Sequence, residues 1–244
     1  MISPPWFYYP FDAIEAMTIE LSGEEVTHII GARRLRVGDE LVLMNGRGRL
    51  AHCTLEETNK KAKKVMLRVS LIAEIEAPPK EIILATALPK GDRLSSMLDM
   101  ACQLGMTRFQ PLQFEHSVSK WSDRLEQRCE RILIEASKQS KSARVPGIAP
   151  ICDFADFVAA NEHANGVCLL ADQFGRPAGS YATRFESTDS VCILVGPEGG
   201  LSSREMKLAQ HHEIQMLRLA TAVLRIETAA VAAVTAIQGV FTNT

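Results

Sequence analysis

The stretch that most constrains the fold is residues 191–200, VCILVGPEGG. Its first five residues are apolar and partly β-branched, and Gly-Pro follows directly, which predicts a short buried strand. Ser202 and Glu205 have the Ser-x-x-Glu spacing of a capping box, so we expect a helix from there to about His211. A strand, a glycine loop and a helix amino terminus together present bare backbone N–H groups to a ligand.

The glycine loop alone does not identify a ligand. The G-x-G-x-x-G spacing of dinucleotide-binding folds is absent, and no Gly-Lys-Ser/Thr follows the strand. Most glycine loops that follow strands are only turns, so the loop alone is compatible with a simple turn as well as with a ligand site. Downstream lie an apolar run at 214–219, a loop at 220–222 and an Ala/Val-rich helix from 224 to about 240.

Length and composition predict one large domain or two modest ones, because 46% of the 244 residues are hydrophobic. No apolar run reaches the length of a membrane span and the amino terminus has no signal pattern, so we expect a soluble, cytoplasmic protein without a membrane partner. The six cysteines lack C-x-x-C spacing and the histidines lack ligand spacing, so we expect no metal. Cys129 and Cys192 fall in apolar patterns typical of the core.

The charge is unevenly distributed although the net charge is only −2. Residues 80–144 carry 11 Lys and Arg against 8 Asp and Glu, whereas residues 145–244 carry 6 against 10. In the first 75 residues the cations cluster at 33–36 and 60–64. A local basic surface fits docking on a phosphate backbone, and ordinary solvated faces are the alternative.

The chain is predicted to have two domains, residues 1–75 and 76–244. Alternating strands at 40–44, 49–57 and 65–75, separated by Asn-Gly and Asn-Lys turns, predict a small β-barrel, with a helix at about 23–34. Pro78-Pro79 forms a stiff boundary. After it, strands alternate with amphipathic helices, which predicts an α/β domain with a mainly parallel sheet.

Two distant motifs, GPEGGLSSREM at 196–206 and LATAVLRIETAAVAAVTAIQ at 219–238, together closely resemble the knotted (SPOUT) methyltransferases that act on ribosomal RNA. The resemblance is strongest to the branch that methylates N3 of a uridine in small-subunit RNA near the decoding site. It extends to ARRLRVGDELVLMNGRG at 32–48, ALPKGDRLSSMLDMACQLGMTRFQPL at 87–112 and EASKQSKSARVP at 135–146. Nearly the whole chain is covered.

The resemblance implies a fold, a cofactor and a cofactor site. The fold would be an α/β domain with a carboxyl-terminal trefoil knot, preceded by a PUA-like β-barrel that grips RNA. The expected assembly is a homodimer acting on 16S rRNA in the small ribosomal subunit, and the methyl donor would be S-adenosylmethionine. The residues expected to hold that cofactor lie in three loops: Leu170, Ala171, Gly196, Pro197, Glu198, Gly199, Gly200, Leu219, Ala220 and Leu224.

Three residues are candidates for the chemistry. Arg225 could hold the negatively charged base or its phosphate, and Glu227 or Glu198 could accept the proton from N3. The alternatives are structural: Glu198 could accept loop N–H bonds, and Glu227 could pair with Arg225. The expected RNA contacts are made by cations: Arg33, Arg34, Arg36, Lys90, Arg93 and Arg144. For Lys90 and Arg93, shaping the pocket is the alternative.

The chain departs from the family pattern in the knot segment. Ala220 stands where a glycine is usual, Ala222 where an arginine is usual and Ile226 where a threonine is usual; Ser142 also replaces a common arginine. A left-handed backbone at Ala220 would cost about 1 kcal/mol. These changes keep two other functions open: methylation of another ribosomal or transfer RNA nucleotide, or RNA binding in ribosome assembly without catalysis.

Overall fold

The structure, a computed structural model, describes residues 3–11, 17–161 and 166–241. Its contacts divide the chain into two units, Met1–Ala77 with Ser137–Val145, and Pro78–Ala136 with Pro146–Thr244. The first break falls at the Pro78-Pro79 linker. The segment 137–145 groups with the first unit, although the sequence pattern assigned it to the second domain. Backbone bonds from Val145 N to Gly46 O (2.9 Å) and from Gly48 N to Ala143 O (3.0 Å) hold it there.

The first unit is built on a five-stranded sheet in the order β1-β3-β4-β5-β2. The strands are β1 (Trp6–Tyr8), β2 (Thr18–Ser22), β3 (Glu40–Met44), β4 (Arg49–Asn59) and β5 (Lys64–Glu74). The predicted β3–β4–β5 meander is antiparallel, as the hairpin turns require. Alternation puts residues such as Leu41, Leu55 and Leu67 into one buried core.

The helix predicted at about 23–34 is shorter and irregular. α1 covers Glu24–Thr27, and a π-helix continues over His28–Ala32. Arg33 N donates to His28 O at 2.9 Å, five residues back, so the last turn is wider than an α-helix. Val26 and Ile29 of this segment are buried in the same core.

The second unit is built on a parallel sheet of seven strands, which confirms the predicted α/β pattern. The six strands on its main path run in the order β12-β10-β11-β6-β7-β8, and β9 pairs with β7. The strands are β6 (Glu81–Thr86), β7 (Arg108–Gln113), β8 (Gly147–Ile148), β9 (Cys152–Asp153), β10 (Gly166–Arg176), β11 (Ser190–Val195) and β12 (Gln215–Leu217). The central strand β11 is buried along almost its whole length, as its apolar run predicted.

The helices of the chain after residue 78 are α2 (Asp92–Gln103), α3 (Asp123–Ser140), α4 (Phe154–Asn161), α5 (Ala182–Glu186), α6 (Ser203–His211) and α7 (Ile226–Phe241), with a 3-10 turn at Ala178–Tyr181. The predicted stripe of α2 is buried through Leu94, Met97, Leu98 and Ala101. α4 and the short helices around residue 180 were not predicted. Within the described residues, no helix combines the length and apolar character needed to cross a bilayer.

Candidate cofactor site

A cavity of about 340 Å³ lies at the carboxyl ends of β11 and β12, beside residues 170–173 of β10. Ligands of α/β folds bind at this edge of the sheet, and the volume is in the range of small-molecule sites. Nine of the ten residues expected to hold the cofactor line it: Leu170, Ala171, Gly196, Pro197, Glu198, Gly200, Leu219, Ala220 and Leu224. The structure therefore brings together three loops that are far apart in sequence.

The glycine loop between β11 and α6 forms the first wall. Gly200 has φ +73°, a left-handed conformation that favours glycine, and its N–H donates to Pro197 O at 2.9 Å. Gly199, the tenth expected residue, does not line the cavity. A side chain there would press on the Cβ of His116. The role of Gly199 is thus to let the loop approach a neighbouring loop.

A buried carboxylate fixes this loop. Ser202 caps α6, and the predicted capping box is present: Glu205 N donates to Ser202 Oγ, while Glu205 Oε2 accepts from Ser202 N at 2.8 Å. The other oxygen of Glu205 accepts from Glu115 N at 2.9 Å. His116 Nδ1 lies 2.9 Å from Gly200 O. The loop after β7 and the glycine loop are therefore tied together by two hydrogen bonds, and the buried capping box anchors one of them, which keeps the cavity wall in place.

The loop from β12 to α7 forms the second wall. Ala222 and Val223 line the cavity there together with the expected residues of this loop. Among the described residues, the left-handed non-glycine positions are Arg34, Lys63, Lys141 and Glu213, so Ala220 carries no backbone strain. The cost of about 1 kcal/mol considered for this alanine does not apply.

β10 forms the third wall, and the sequence analysis missed two of its residues. Asp172 and Gln173 line the cavity directly after Ala171, where the pairing of β10 with β12 is interrupted. Their signal was present, since they are the polar residues that directly follow the apolar run of this strand. Further apolar side chains line the cavity and were not predicted either: Val195, Leu201, Met206, Leu217, Ile226 and Ala229.

The three candidate catalytic residues lie in different surroundings. Arg93 Nη1 donates to Glu198 Oε1 at 2.6 Å and lies 3.9 Å from Glu227 Oε2. The side chain of Glu227 is only 14% exposed, and its Oε2 is buried without a hydrogen bond from the described residues. Arg225 is exposed and does not line the cavity. The cation beside Glu227 is therefore Arg93 from α2, not Arg225 as one alternative supposed.

The cations expected to contact RNA also differ among themselves. Lys90 is exposed before α2, whereas Arg93 is occupied by the carboxylates of the site. In the first unit, Arg33, Arg34 and Arg36 are exposed. Arg144 is partly buried, and its Nη2 donates to Ile75 O at 2.9 Å. The guanidinium of Arg144 thus contributes to the first unit's own structure, which weakens its assignment as an RNA contact.

Two buried thiols, those of Cys129 and Cys192, are held neutral. Hydrogen bonding with Cys168 in the adjacent strand and then burial raise the pKa of the Cys192 thiol well above its ordinary value. Burial also raises the pKa of Cys129 to about 11. Both side chains are buried, as their apolar patterns predicted. A thiol held neutral is a poor nucleophile, so these cysteines serve packing.

The lining fits a partly flat, positively charged cofactor. Most lining side chains are apolar, and the charged ones among the described lining residues are the carboxylates Asp172 and Glu198, with no Lys or Arg. Apolar walls suit a purine face, loop backbone groups suit its polar edge, and carboxylates favour a cation. S-adenosylmethionine combines an adenine with a positively charged sulfur, so the residues present fit it.

A parallel sheet with a cofactor-sized cavity at its carboxyl edge, joined to a small β-rich unit, is the architecture of a cofactor-binding α/β enzyme with an accessory domain. The chain belongs to the RNA methyltransferase family: the family described as RNA methyltransferase domain matches residues 76–238. A second family, the RNA methyltransferase PUA domain, matches residues 21–65.

Individual relatives agree with this family. The ribosomal RNA small subunit methyltransferase E of Bacillus subtilis is 29% identical over 233 residues, covering 91% of this chain and 90% of the relative. The protein of the same name from Rickettsia conorii is 29% identical over 227 residues, covering 90% and 89%.

Solved structures agree as well. A ribosomal RNA small subunit methyltransferase E from Neisseria gonorrhoeae, bound to S-adenosylmethionine, superposes with a TM-score of 0.86 at 25% identity over 97% of this chain and 98% of that one. A Legionella pneumophila protein with bound S-adenosylmethionine gives 0.86 at 27% identity over 98% of both chains. The predicted fold class, an α/β methyltransferase domain preceded by a PUA-like domain, is confirmed; the path of the knot stays a prediction.

Proposed function

We propose that this protein transfers the methyl group of S-adenosylmethionine to N3 of a uridine in 16S ribosomal RNA, near the decoding site of the small subunit. The observation that carries the proposal is the cavity at the carboxyl edge of the sheet, because three separate loops with the expected residues surround it. The relatives named small subunit methyltransferase E, aligned over about nine-tenths of the chain, support the choice of RNA.

The cofactor supplies an electrophilic methyl group on a positively charged sulfur when it is bound. Backbone groups of the Gly196–Gly200 loop and of Leu219 and Ala220 are placed to bind its adenine edge, and Leu170 and Leu224 offer apolar walls. The carboxylates of Asp172 and Glu198 favour the positive charge. These assignments use residues from all three walls of the cavity.

N3 of uridine must lose its proton to become a nucleophile, and Glu227 is the best-placed acceptor. Its side chain does not line the cavity and its Oε2 is buried, but this oxygen receives no hydrogen bond from the described residues, so it keeps the capacity to accept a proton relayed from the substrate. Glu198 is less suited because Arg93 already donates to it at 2.6 Å. Arg93 holds the two carboxylates in one arrangement and balances part of their charge.

Arg225 is our candidate for holding the substrate, and among the described residues Arg93, not Arg225, is the cation paired with Glu227. Its side chain is exposed in the residue before α7, next to Ile226, which lines the cavity. A guanidinium there can donate to a uracil oxygen that gains negative charge, or to the adjoining phosphate.

The first unit binds the phosphates of RNA electrostatically. Arg33, Arg34 and Arg36 are exposed and close in sequence, and the tip between β4 and β5 adds exposed lysines at 60, 61 and 63. Contacts of this kind bind phosphates and position the substrate without reading its sequence. The family name PUA domain over residues 21–65 supports this role.

We also propose that the enzyme is a cytoplasmic homodimer, as the resemblance to the knotted methyltransferases implies. α7 buries Ala230, Ala233 and Val234 within its own unit. Its other side is also largely apolar and stays partly accessible at Val231, Ala232 and Ala236. A helix that is apolar on nearly all sides is usually covered on nearly all sides, and a second subunit would cover this one.

The test is tritium transfer from labelled S-adenosylmethionine to small ribosomal subunits that lack their modifications, followed by digestion to nucleosides. Label in N3-methyluridine is the expected result. Label in another nucleoside, or in transfer RNA offered in parallel, would show that the substrate is not this uridine of 16S rRNA. If no label is transferred and calorimetry detects no cofactor binding, the proposal of an active enzyme is wrong. RNA binding in ribosome assembly would then be the remaining function.

A further inference from the structure

An exposed aromatic side chain stands where β10 passes the cavity. Ala171 and Arg176 of β10 both register with Leu217 of β12, so residues 172–175 form an excursion between two points of the ladder. Asp172 and Gln173 of this excursion line the cavity, and Phe174 follows them directly with 83% of its side chain exposed. The excursion therefore presents a phenyl ring to solvent beside the proposed methyl-transfer site.

The backbone that carries this ring is held in place. Phe174 N donates to Asp172 Oδ1 at 2.8 Å, and Arg218 N donates to Arg176 O at 2.8 Å. Gly175 is buried so tightly that an added Cβ would overlap the Met216 carbonyl. The Phe174 ring is thus displayed by a fixed turn, which lowers the entropy lost when a ligand stacks on it.

Two cations and a second apolar side chain belong to the segments that form the cavity: Arg176 ends β10, and Arg218 stands between the lining residues Leu217 and Leu219. Arg176 and Arg218 are exposed and are neighbours through their backbone bond. Val223, 85% exposed, lines the cavity from the loop before α7. Residues 145–244 carry only 6 cations against 10 anions, so two adjacent exposed arginines are not expected from the composition of this part of the chain. We call Phe174, Arg176, Arg218 and Val223 the rim.

We propose that the rim binds unpaired RNA next to the target uridine: a base stacks on Phe174, and Arg176 and Arg218 hold the flanking phosphates. An aromatic platform beside exposed cations is the combination that binds single-stranded nucleic acid. Phe and Arg are also enriched in protein–protein interfaces, so contact with a second copy of the chain is the competing outcome that the sedimentation measurement below detects. This inference rests on the proposed function and names the surface that presents its substrate.

The experiment measures binding of a fluorescein-labelled single-stranded oligouridylate by anisotropy, with S-adenosylmethionine at saturation. Because a stacked base contributes about 1–3 kcal/mol, Phe174→Ala should weaken binding roughly 5- to 150-fold, and Phe174→Tyr should restore it. Arg176→Gln and Arg218→Gln should each lower the slope of log affinity against log salt by about 0.7. Val118→Ala, at an exposed valine outside the rim, is the matched control and should change nothing.

Two further readouts keep the result unambiguous. Calorimetry of S-adenosylmethionine should give the same affinity for Phe174→Ala as for the natural chain, and thermal unfolding should coincide, because the ring is exposed. Unchanged RNA affinity in Phe174→Ala would overturn the proposal. If the same variant also shifted the mass in sedimentation from dimer to monomer, the rim would be a contact with a second copy of the chain.

The rim and the proposed function fail separately. If the natural chain transfers methyl groups and Phe174→Ala keeps full RNA affinity, only the proposal that the rim binds RNA is wrong. If Phe174→Ala loses RNA affinity and the natural chain transfers no methyl group, the rim binds RNA but the proposed catalysis is wrong.

Discussion

The cavity of the second unit and the basic surface of the first unit are built for binding by opposite means. The cavity uses backbone groups, apolar walls and two carboxylates, and the buried capping box of Glu205 fixes its glycine loop. The surface uses exposed cations such as Arg33, Arg34 and Arg36. Binding in the cavity therefore depends on exact loop positions, whereas binding on the surface depends on the number of charges and on salt. The two regions should respond differently to the same kinds of substitution.

The largest expected effect is a loss of stability when the backbone of β10 beside the cavity is changed. Gly175→Ala places a Cβ against the Met216 carbonyl, which the backbone cannot avoid, so the free energy of unfolding should fall by about 3 kcal/mol. Gly179→Ala is the control, because an added Cβ there meets nothing within 4 Å. Chemical denaturation measures both. Equal stability of the two variants would mean that β10 and β12 are not packed as described.

The second effect comes from the buried carboxylate that fixes the glycine loop. Glu205→Gln keeps one acceptor oxygen and turns an NH₂ group toward an N–H, either of Ser202 or of Glu115. One unsatisfied buried donor should lower the free energy of unfolding by about 2 kcal/mol and weaken cofactor binding. Glu130→Gln, at an exposed position of α3, is the control. Thermal unfolding that matched this control would contradict the tie between the two loops.

These two effects bear on what could be predicted from the sequence. β11, the glycine loop and the Ser202–Glu205 capping box follow from neighbours within a few residues, and the structure has them where the pattern put them. Arg93 lies 105 residues from Glu198, and periodicity does not reveal such a pair. The same holds for residues 137–145, which group with a unit 60 residues earlier only through tertiary hydrogen bonds.

A third effect separates catalysis from stability. Arg93→Gln removes the cation that pairs with Glu198 and lies beside Glu227. Since Arg93 is 34% exposed, we expect little loss of stability but about a tenfold loss of kcat/KM through misplaced carboxylates. Arg128→Gln is the control, because Arg128 pairs with the almost fully exposed Asp92. A change in kcat/KM no larger than that of the control would show that Arg93 does not position the site.

The smallest effect per residue is expected on the basic surface. Replacing Arg33, Arg34 and Arg36 together with glutamine should weaken RNA binding about fivefold and lower the salt slope by about 2, with cofactor affinity unchanged. Arg68→Gln is the control, since Arg68 is already paired with Glu56 at 2.9 Å. Anisotropy titrations over a salt series give both quantities. A salt slope equal to that of the natural chain would place the RNA elsewhere.

Calorimetry of S-adenosylmethionine tests directly whether the cavity at the carboxyl ends of β11 and β12 is the cofactor site. Ala220→Phe fills the cavity from its own lining, and Ala155→Phe adds the same side chain at an exposed position of α4. We expect one cofactor per chain in the natural protein and in Ala155→Phe, and no measurable binding in Ala220→Phe. Equal affinity in all three proteins would mean that the cofactor binds elsewhere.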